Sequence, residues 1–206
     1  MRIGMVSTSR TGCTYVRRYI CNRYNLLDSG SWLKHNSYDD IELQDWIGWP
    51  HILKVLIHYI PPKDRKGVLC DFDKIWLWRG DTVRQFLSHV TRLRTNVNHV
   101  YDDTDIPKIG DNTLVAHRSE FDRFMKRQKE FWDLYYELGF PKNDPLIKFE
   151  DFIDNPKRVC KMLEDWFYME FSCGPELNDQ ALPKRIDIDY STKYTNYEEV
   201  VEWFNE

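Results

Sequence analysis

The stretch from Ile3 to Tyr15 constrains this chain more than any other. Ile3 to Val6 is a short apolar run that reads as a strand. Ser7, Thr8, Ser9, Arg10, Thr11 and Gly12 follow, after which Tyr15, Val16, Tyr19 and Ile20 recur at helical spacing. Strand, small-residue turn and helix N-terminus together make the local design of an anion site. The first amides of a helix have no intrahelical partner, and the macrodipole places partial positive charge there. Gly12 lets backbone approach a bound oxyanion closely. Ser9, Thr11 and Thr14 can donate hydroxyl hydrogen bonds, and Arg10 adds a permanent charge. The expected ligand is a phosphate or sulfate; taken alone, the stretch is also compatible with an ordinary βα turn.

An ATP or GTP loop of the G-x-x-x-x-G-K-[ST] kind is disfavoured, because Cys13 follows Gly12 and Thr8 and Thr11 stand before it. A chain of 206 residues is expected to form one domain over 1–206, large enough for a sizeable core. Hydrophobic residues at 42% and aromatics at 15% argue for a packed globule over disorder. A net charge of −4 and a pI near 5.9 argue against a general nucleic-acid binder, while local Arg and Lys leave an anionic ligand open. No apolar run approaches the roughly 20 residues of a membrane span, and Ser7 to Arg10 cut short any signal-type hydrophobic segment. Cys13, Cys21, Cys70, Cys160 and Cys173 are odd in number and lack metal spacing, which suits free thiols in a reducing cytoplasm. Cys13 is a minor candidate nucleophile.

Further along, the first helix is expected over 13–22 and a turn-rich connector over 25–36. A short helix is expected over 39–49, and a buried strand over 52–57 with His58 at its carboxyl end and a charged loop over 63–66 after it. Lys74 to Trp78 reads as the next strand and ends in Arg79-Gly80-Asp81, with Asp81 or Thr82 capping a helix whose apolar stripe is Val83, Phe86, Leu87, Val90 and Leu93. Residues 95–115 read as a long loop or insertion. Ser119 opens the longest helix, with Phe121, Phe124, Met125, Phe131, Trp132, Tyr135 and Leu138 inward and Gly139 at its end. Leu146 to Phe149 is the fourth strand. Asn155-Pro156 starts a helix with Val159, Met162, Leu163, Trp166 and Phe167 inward, residues 173–193 are irregular, and a terminal helix covers 196–204. Strands alternating with helices give an α/β fold with a mainly parallel central sheet flanked by helices. Ligands of such sheets bind at the carboxyl ends of the strands, which gathers 7–14, His58, Arg79 and Glu150 on one rim.

Arg10-Thr11-Gly12-Cys13-Thr14-Tyr15 after the first strand resembles the 5′-phosphosulfate loop of the sulfotransferases. Ile75 to His89 resembles their 3′-phosphate segment, with Arg79 at a strand end and Ser88 in the following helix. Lys148-Phe149-Glu150-Asp151-Phe152 with Asp154-Asn155-Pro156 is similar to the segment that supports the phosphosulfate loop. The three motifs, in order, span most of the chain and look closest to bacterial and phage-like members, including the trehalose sulfotransferase type. The resemblance implies a P-loop-like three-layer sandwich and 3′-phosphoadenosine-5′-phosphosulfate (PAPS) as donor to a hydroxyl acceptor. It implies donor contacts from Ser9, Arg10, Thr11, Gly12, Cys13, Thr14, Tyr15, Arg79 and Ser88. Transfer of this kind asks for positioning, charge stabilisation and a base; no metal is required or suggested.

The base is the open position. One branch of the family has a Glu where Ser31 follows Gly30, and a Ser is no base; the other places Lys then His at the end of the second strand, which Lys54 and His58 match loosely. An ordinary imidazole titrates near pH 6.5, suited to a base at neutral pH, and His58 is the candidate, with strand-end capping as its plainer role. His35 and Asp28 stand in reserve, and His89 reads as structural. Two other functions stay open: a small-molecule kinase of related architecture, and a nucleotide-binding protein that has lost its base.

Overall fold

Strand β1 (Arg2–Ser7) is apolar on both faces because it lies at the centre of the sheet. The computed structural model describes residues 2–31, 51–96, 109–111, 113–171 and 188–206. In these, β1 pairs on one side with β3 (His51–Leu56) and on the other with β4 (Asp73–Trp78); β2 (Leu27–Ser31) and β5 (Leu146–Lys148) lie at the edges. The order is β2-β3-β1-β4-β5 and every pairing is parallel. Parallel neighbours need crossovers, and helices supply them on both faces.

The described chain divides into two compact units, Met1–Gly80 with Lys129–Leu182 and Asp81–Gln128 with Pro183–Glu206. The first unit holds the sheet. On one face, α1 (Cys13–Arg23), α5 (Phe149–Asp154) and α6 (Pro156–Phe171) cover Ile3, Met5, Ile52, Ile75 and Leu77 with Val16, Ile20, Phe152, Leu163 and Phe167. Tyr24 of the turn after α1 donates to the Cys160 carbonyl at 3.1 Å. On the other face, α2 (Arg65–Cys70) and the part of α4 (Arg118–Leu134) beyond residue 128 cover Val6, Val55 and Trp76 with Val68, Leu69, Phe131 and Leu134. Two features tie that face. Arg65 donates through Nε to the Ile60 carbonyl at 3.0 Å and pairs with Glu130 at 3.1 Å. The buried Trp76 indole donates to Asp144 at 3.1 Å, and the buried Lys74 ammonium lies 3.6 Å from the same carboxylate. A buried charge is tolerated when paired and hydrogen-bonded in this way.

The second unit holds α3 (Thr82–Thr95), the first turns of α4 and α7 (Tyr197–Trp203), with a parallel bridge between Leu114 and Tyr194. Its core joins Phe86, Leu87, Val90, Phe121, Phe124, Val200 and Trp203. The buried Tyr194 hydroxyl donates to the Leu87 carbonyl at 2.7 Å and lies 2.9 Å from Thr91 Oγ1. Asn196 clamps Ala116, accepting from its N–H at 3.1 Å and donating to its carbonyl at 2.9 Å.

Strands β1, β3, β4 and β5, helices α1, α3, α4 and α6 and the terminal helix follow the sequence pattern. Asp81 caps α3 by accepting from the Arg84 N–H at 2.8 Å, and Asn155 accepts from Arg158 at 3.2 Å. Other expectations are corrected. The connector after α1 forms β2, an edge strand without apolar alternation that backbone pairing to β3 recruits. The charged loop at 63–66 runs into α2, because Val68 and Leu69 find the sheet face. Leu93, Met125 and Met162 lie outside the core. Gly139 does not end α4 in a left-handed cap: a π-helical turn, Tyr135–Gly139, continues the helix, and Asn143 takes the left-handed conformation after Phe140–Lys142. The helix at 39–49, His35, Trp32 and most of 95–115 and 173–193 lie outside the described residues.

Gly139 is required by packing. A Cβ there would lie 2.4 Å from Trp76 Nε1 and 2.8 Å from the Tyr135 ring, closer than side chains approach. Gly139→Ala is expected to displace the indole from Asp144 and destabilise the chain by about 1–3 kcal/mol. Urea unfolding monitored by tryptophan fluorescence measures this, and an unchanged midpoint would contradict the packing.

Candidate anion-binding site

Register puts four strand ends at one edge of the sheet. Ser7 pairs with Leu56 and Leu77, and Trp78 pairs with Lys148. The segments that leave these positions, 8–12, 57–59, 79–80 and 149–150, therefore emerge on the same rim, where parallel sheets bind ligands.

The first of these segments is built as a concavity. Arg10 is left-handed at φ 64°, as is Gly12 at φ 84°, with Thr11 between them. Left-handed residues interrupting a turn point successive N–H groups inward, a geometry that binds anions. Positive φ is uncommon for a non-glycine residue, and Arg10 adopts it within this turn. Thr11 Oγ1 donates to the Thr8 carbonyl at 3.2 Å and closes the turn, and the Gly12 carbonyl accepts the first helical bond from Val16 at 3.1 Å. Thr8, Ser9, Thr11 and Cys13 are buried, whereas Arg10, Gly12, Thr14 and Tyr15 are partly open. Gly12 is the N-cap of α1 and brings no side chain to its first amides. Those amides and the dipole behind them give the segment its positive potential.

The floor comes from the start of α5. The Phe149 ring lies beneath Gly12, so that a Cβ on Gly12 would fall 2.2 Å from Phe149 Cε2. Tyr15 meets Phe149 edge-on with centroids 6.2 Å apart, and Phe152 at 6.1 Å. The Arg79 guanidinium, buried, lies over the same ring at 5.3 Å and donates through a terminal nitrogen to the Arg10 carbonyl at 3.4 Å. Its Nε is 3.6 Å from Glu150 Oε1, and Glu150 Oε2 accepts from the Gly80 N–H at 2.8 Å. The sequence marks 148–152 as a supporting segment. It gives no sign that Phe149 carries the glycine or that Glu150 faces Arg79, since neither contact has a periodicity.

His58 sits on the rim in a 3₁₀ turn, Ile57–Tyr59, with its ring 4.2 Å from that of Tyr59 and its Nδ1 shut off from solvent. Asp28, on β2, pairs with Arg17 at 2.8 Å. Burial, with the Asp28 carboxylate nearby, pushes the Cys21 thiol up to about 12, so it is inert as a nucleophile at neutral pH. Ser88 is buried on α3 in the second unit, and His89 follows it there. Among the described residues no group of three His, Cys, Asp or Glu could hold a metal ion, and no helix is long and apolar enough to cross a membrane.

No protein-family model and no curated protein matches the sequence. Among solved structures the fold is similar to that of a mouse sulfotransferase complexed with PAP, at 11% identity and a TM-score of 0.58, over 99% of this chain and 82% of that one. The fold is the P-loop-like α/β arrangement of that protein, with a five-stranded, all-parallel sheet among the described residues.

The seat of Gly12 can be tested without any ligand. Gly12→Ala combines a steric clash with left-handed strain of about 1–2 kcal/mol, and the expected total loss is about 2–4 kcal/mol. Because the clash is with one ring, Gly12→Ala and Phe149→Ala should be strongly sub-additive in urea unfolding. Additive losses would mean that the ring does not carry the loop.

Proposed function

We propose that the chain is a sulfotransferase that moves a sulfuryl group from PAPS to an acceptor hydroxyl of a carbohydrate, a lipid or a small alcohol. The observation that carries this reading is the 8–14 loop, left-handed at Arg10 and Gly12, seated on Phe149 and approached by Arg79. It is an anion cradle at a helix N-terminus without the lysine of nucleoside-triphosphate loops. The fold shared with a PAP-bound sulfotransferase supports the same class of ligand.

In this reading Ser9, Arg10, Thr11, Gly12, Cys13, Thr14 and Tyr15 hold the 5′-phosphosulfate. Arg79 is assigned to the 3′-phosphate, and Ser88 keeps that assignment on its sequence motif alone. The acceptor oxygen forms a bond to sulfur as the bond from sulfur to the 5′-phosphate oxygen breaks. Negative charge grows on the leaving phosphate, where Arg10 and the first amides of α1 oppose it. The acceptor proton goes to His58. With Nδ1 enclosed, Nε2 is the nitrogen assigned to receive it.

Single-turnover transfer from sulfur-labelled PAPS to a panel of alcohols and sugars, with PAP binding measured in parallel, separates these roles. Arg10→Ala should lower the rate about 10²- to 10³-fold, as loss of a charge stabiliser does. PAP affinity should fall far less, since the charge on the leaving oxygen is largest in the transition state. Equal rates in mutant and wild type would remove Arg10 from the mechanism. His58→Gln should lower the rate about 10²- to 10⁴-fold with PAP binding intact. Near-normal transfer by that variant would rule out His58 as the base.

A further inference from the structure

We propose that Glu150 is a positioning residue of the anion site that acts through Arg79. Its carboxylate holds the Arg79 guanidinium and, through it, the Arg10 carbonyl. The proposal rests on the sulfonucleotide reading given above. One carboxylate addresses two groups of a single turn: Oε2 accepts from the Gly80 N–H at 2.8 Å, and Oε1 faces Arg79 Nε at 3.6 Å. The guanidinium lies over the Phe149 ring and reaches the carbonyl of Arg10, the left-handed residue of the loop. A line of contacts therefore runs from Glu150 through Arg79 to Arg10, beside the line from Phe149 to Gly12.

A carboxylate beside a polyanion site should, by charge alone, repel the ligand. Two effects of opposite sign thus meet at Glu150. As a repelling charge it would weaken nucleotide binding. As a tether it would strengthen binding, because an arginine already ordered on Phe149 loses less rotamer freedom when the ligand arrives. The Nε–Oε1 separation exceeds hydrogen-bond distance, so the pair is a charge contact that orients the guanidinium and leaves it able to turn donors toward a ligand. Burial of the pair, with the side chains 10% and 25% exposed, reduces solvent screening of that contact. The geometry points to the tether as the larger effect.

PAP binding by calorimetry to the full chain, in a cycle of wild type, Glu150→Gln, Arg79→Ala and the double variant, tests this. Glutamine keeps the shape and a carbonyl acceptor for Gly80. Glu150→Gln should weaken PAP binding about three- to tenfold, the range expected for a partly buried charge pair. The same change should have no further effect when Arg79 is already alanine. Amide exchange should accelerate across residues 8–12 in Glu150→Gln, with the unfolding midpoint little changed. Tighter PAP binding by Glu150→Gln would make Glu150 a repelling charge and overturn the proposal; an equal loss in the Arg79→Ala background would overturn it too. If the glutamine variant does not fold, Glu150→Asp, which keeps the charge but shortens the reach, should show the same loss to a smaller extent. If the wild type binds no PAP, the sulfonucleotide reading fails by itself. The proposal then stands on faster exchange at residues 8–12 and falls on unchanged exchange there.

Discussion

Contact between the Phe149 ring and Gly12 is the interaction on which the candidate site depends. It joins the first crossover of the sheet to the helix that follows its last strand, so the loop that faces a ligand has its shape fixed by a residue 137 positions later. The same ring carries Arg79 on its surface, and Arg79 reaches the Arg10 carbonyl. One aromatic side chain thus ties together three strand ends. Without the ring beneath it, a left-handed arginine two residues from a left-handed glycine would be one conformation among several, and the inward set of N–H groups would be averaged away.

The sheet makes that contact possible. Ser7 lies in register with both Leu56 and Leu77, and Trp78 with Lys148, so the strands end together. Apolar side chains on both faces of β1 and β4 keep the strands buried between helices. At the other edge of the sheet, Trp76, Asp144 and Lys74 fix β4 against the segment that leads into β5. That pins the strand preceding Phe149 and therefore the height at which the ring meets the loop.

The parts of this architecture with strong periodicity were legible in the sequence. Continuous apolar runs announced β1, β3 and β4, and the strand–turn–helix pattern of 3–20 announced the loop with its Gly12. Edge strand β2 was not legible, because Leu27-Asp28-Ser29-Gly30-Ser31 has turn chemistry and gains its conformation from β3. Helix α2 hid in a charged segment whose only apolar claim is Val68 and Leu69. Gly139 looked like a helix stop, although its role is to let the Trp76 indole approach. At the site, the loop pattern pointed to Arg10 and the strand-end position to Arg79. Their mutual contact, and the positive φ of Arg10, are products of tertiary packing that no local pattern encodes.

In the proposed reading the rim binds a nucleotide that carries phosphate at both its 3′ and its 5′ position. Calorimetric titration of the wild-type chain with PAP, 5′-AMP and ATP in the presence of Mg²⁺ tests it most directly. PAP is expected to bind at least about tenfold tighter than 5′-AMP, since the 3′-phosphate adds charge-assisted hydrogen bonds, and tighter than ATP. Binding of ATP as tight as that of PAP, or no preference for the 3′-phosphate, would contradict it.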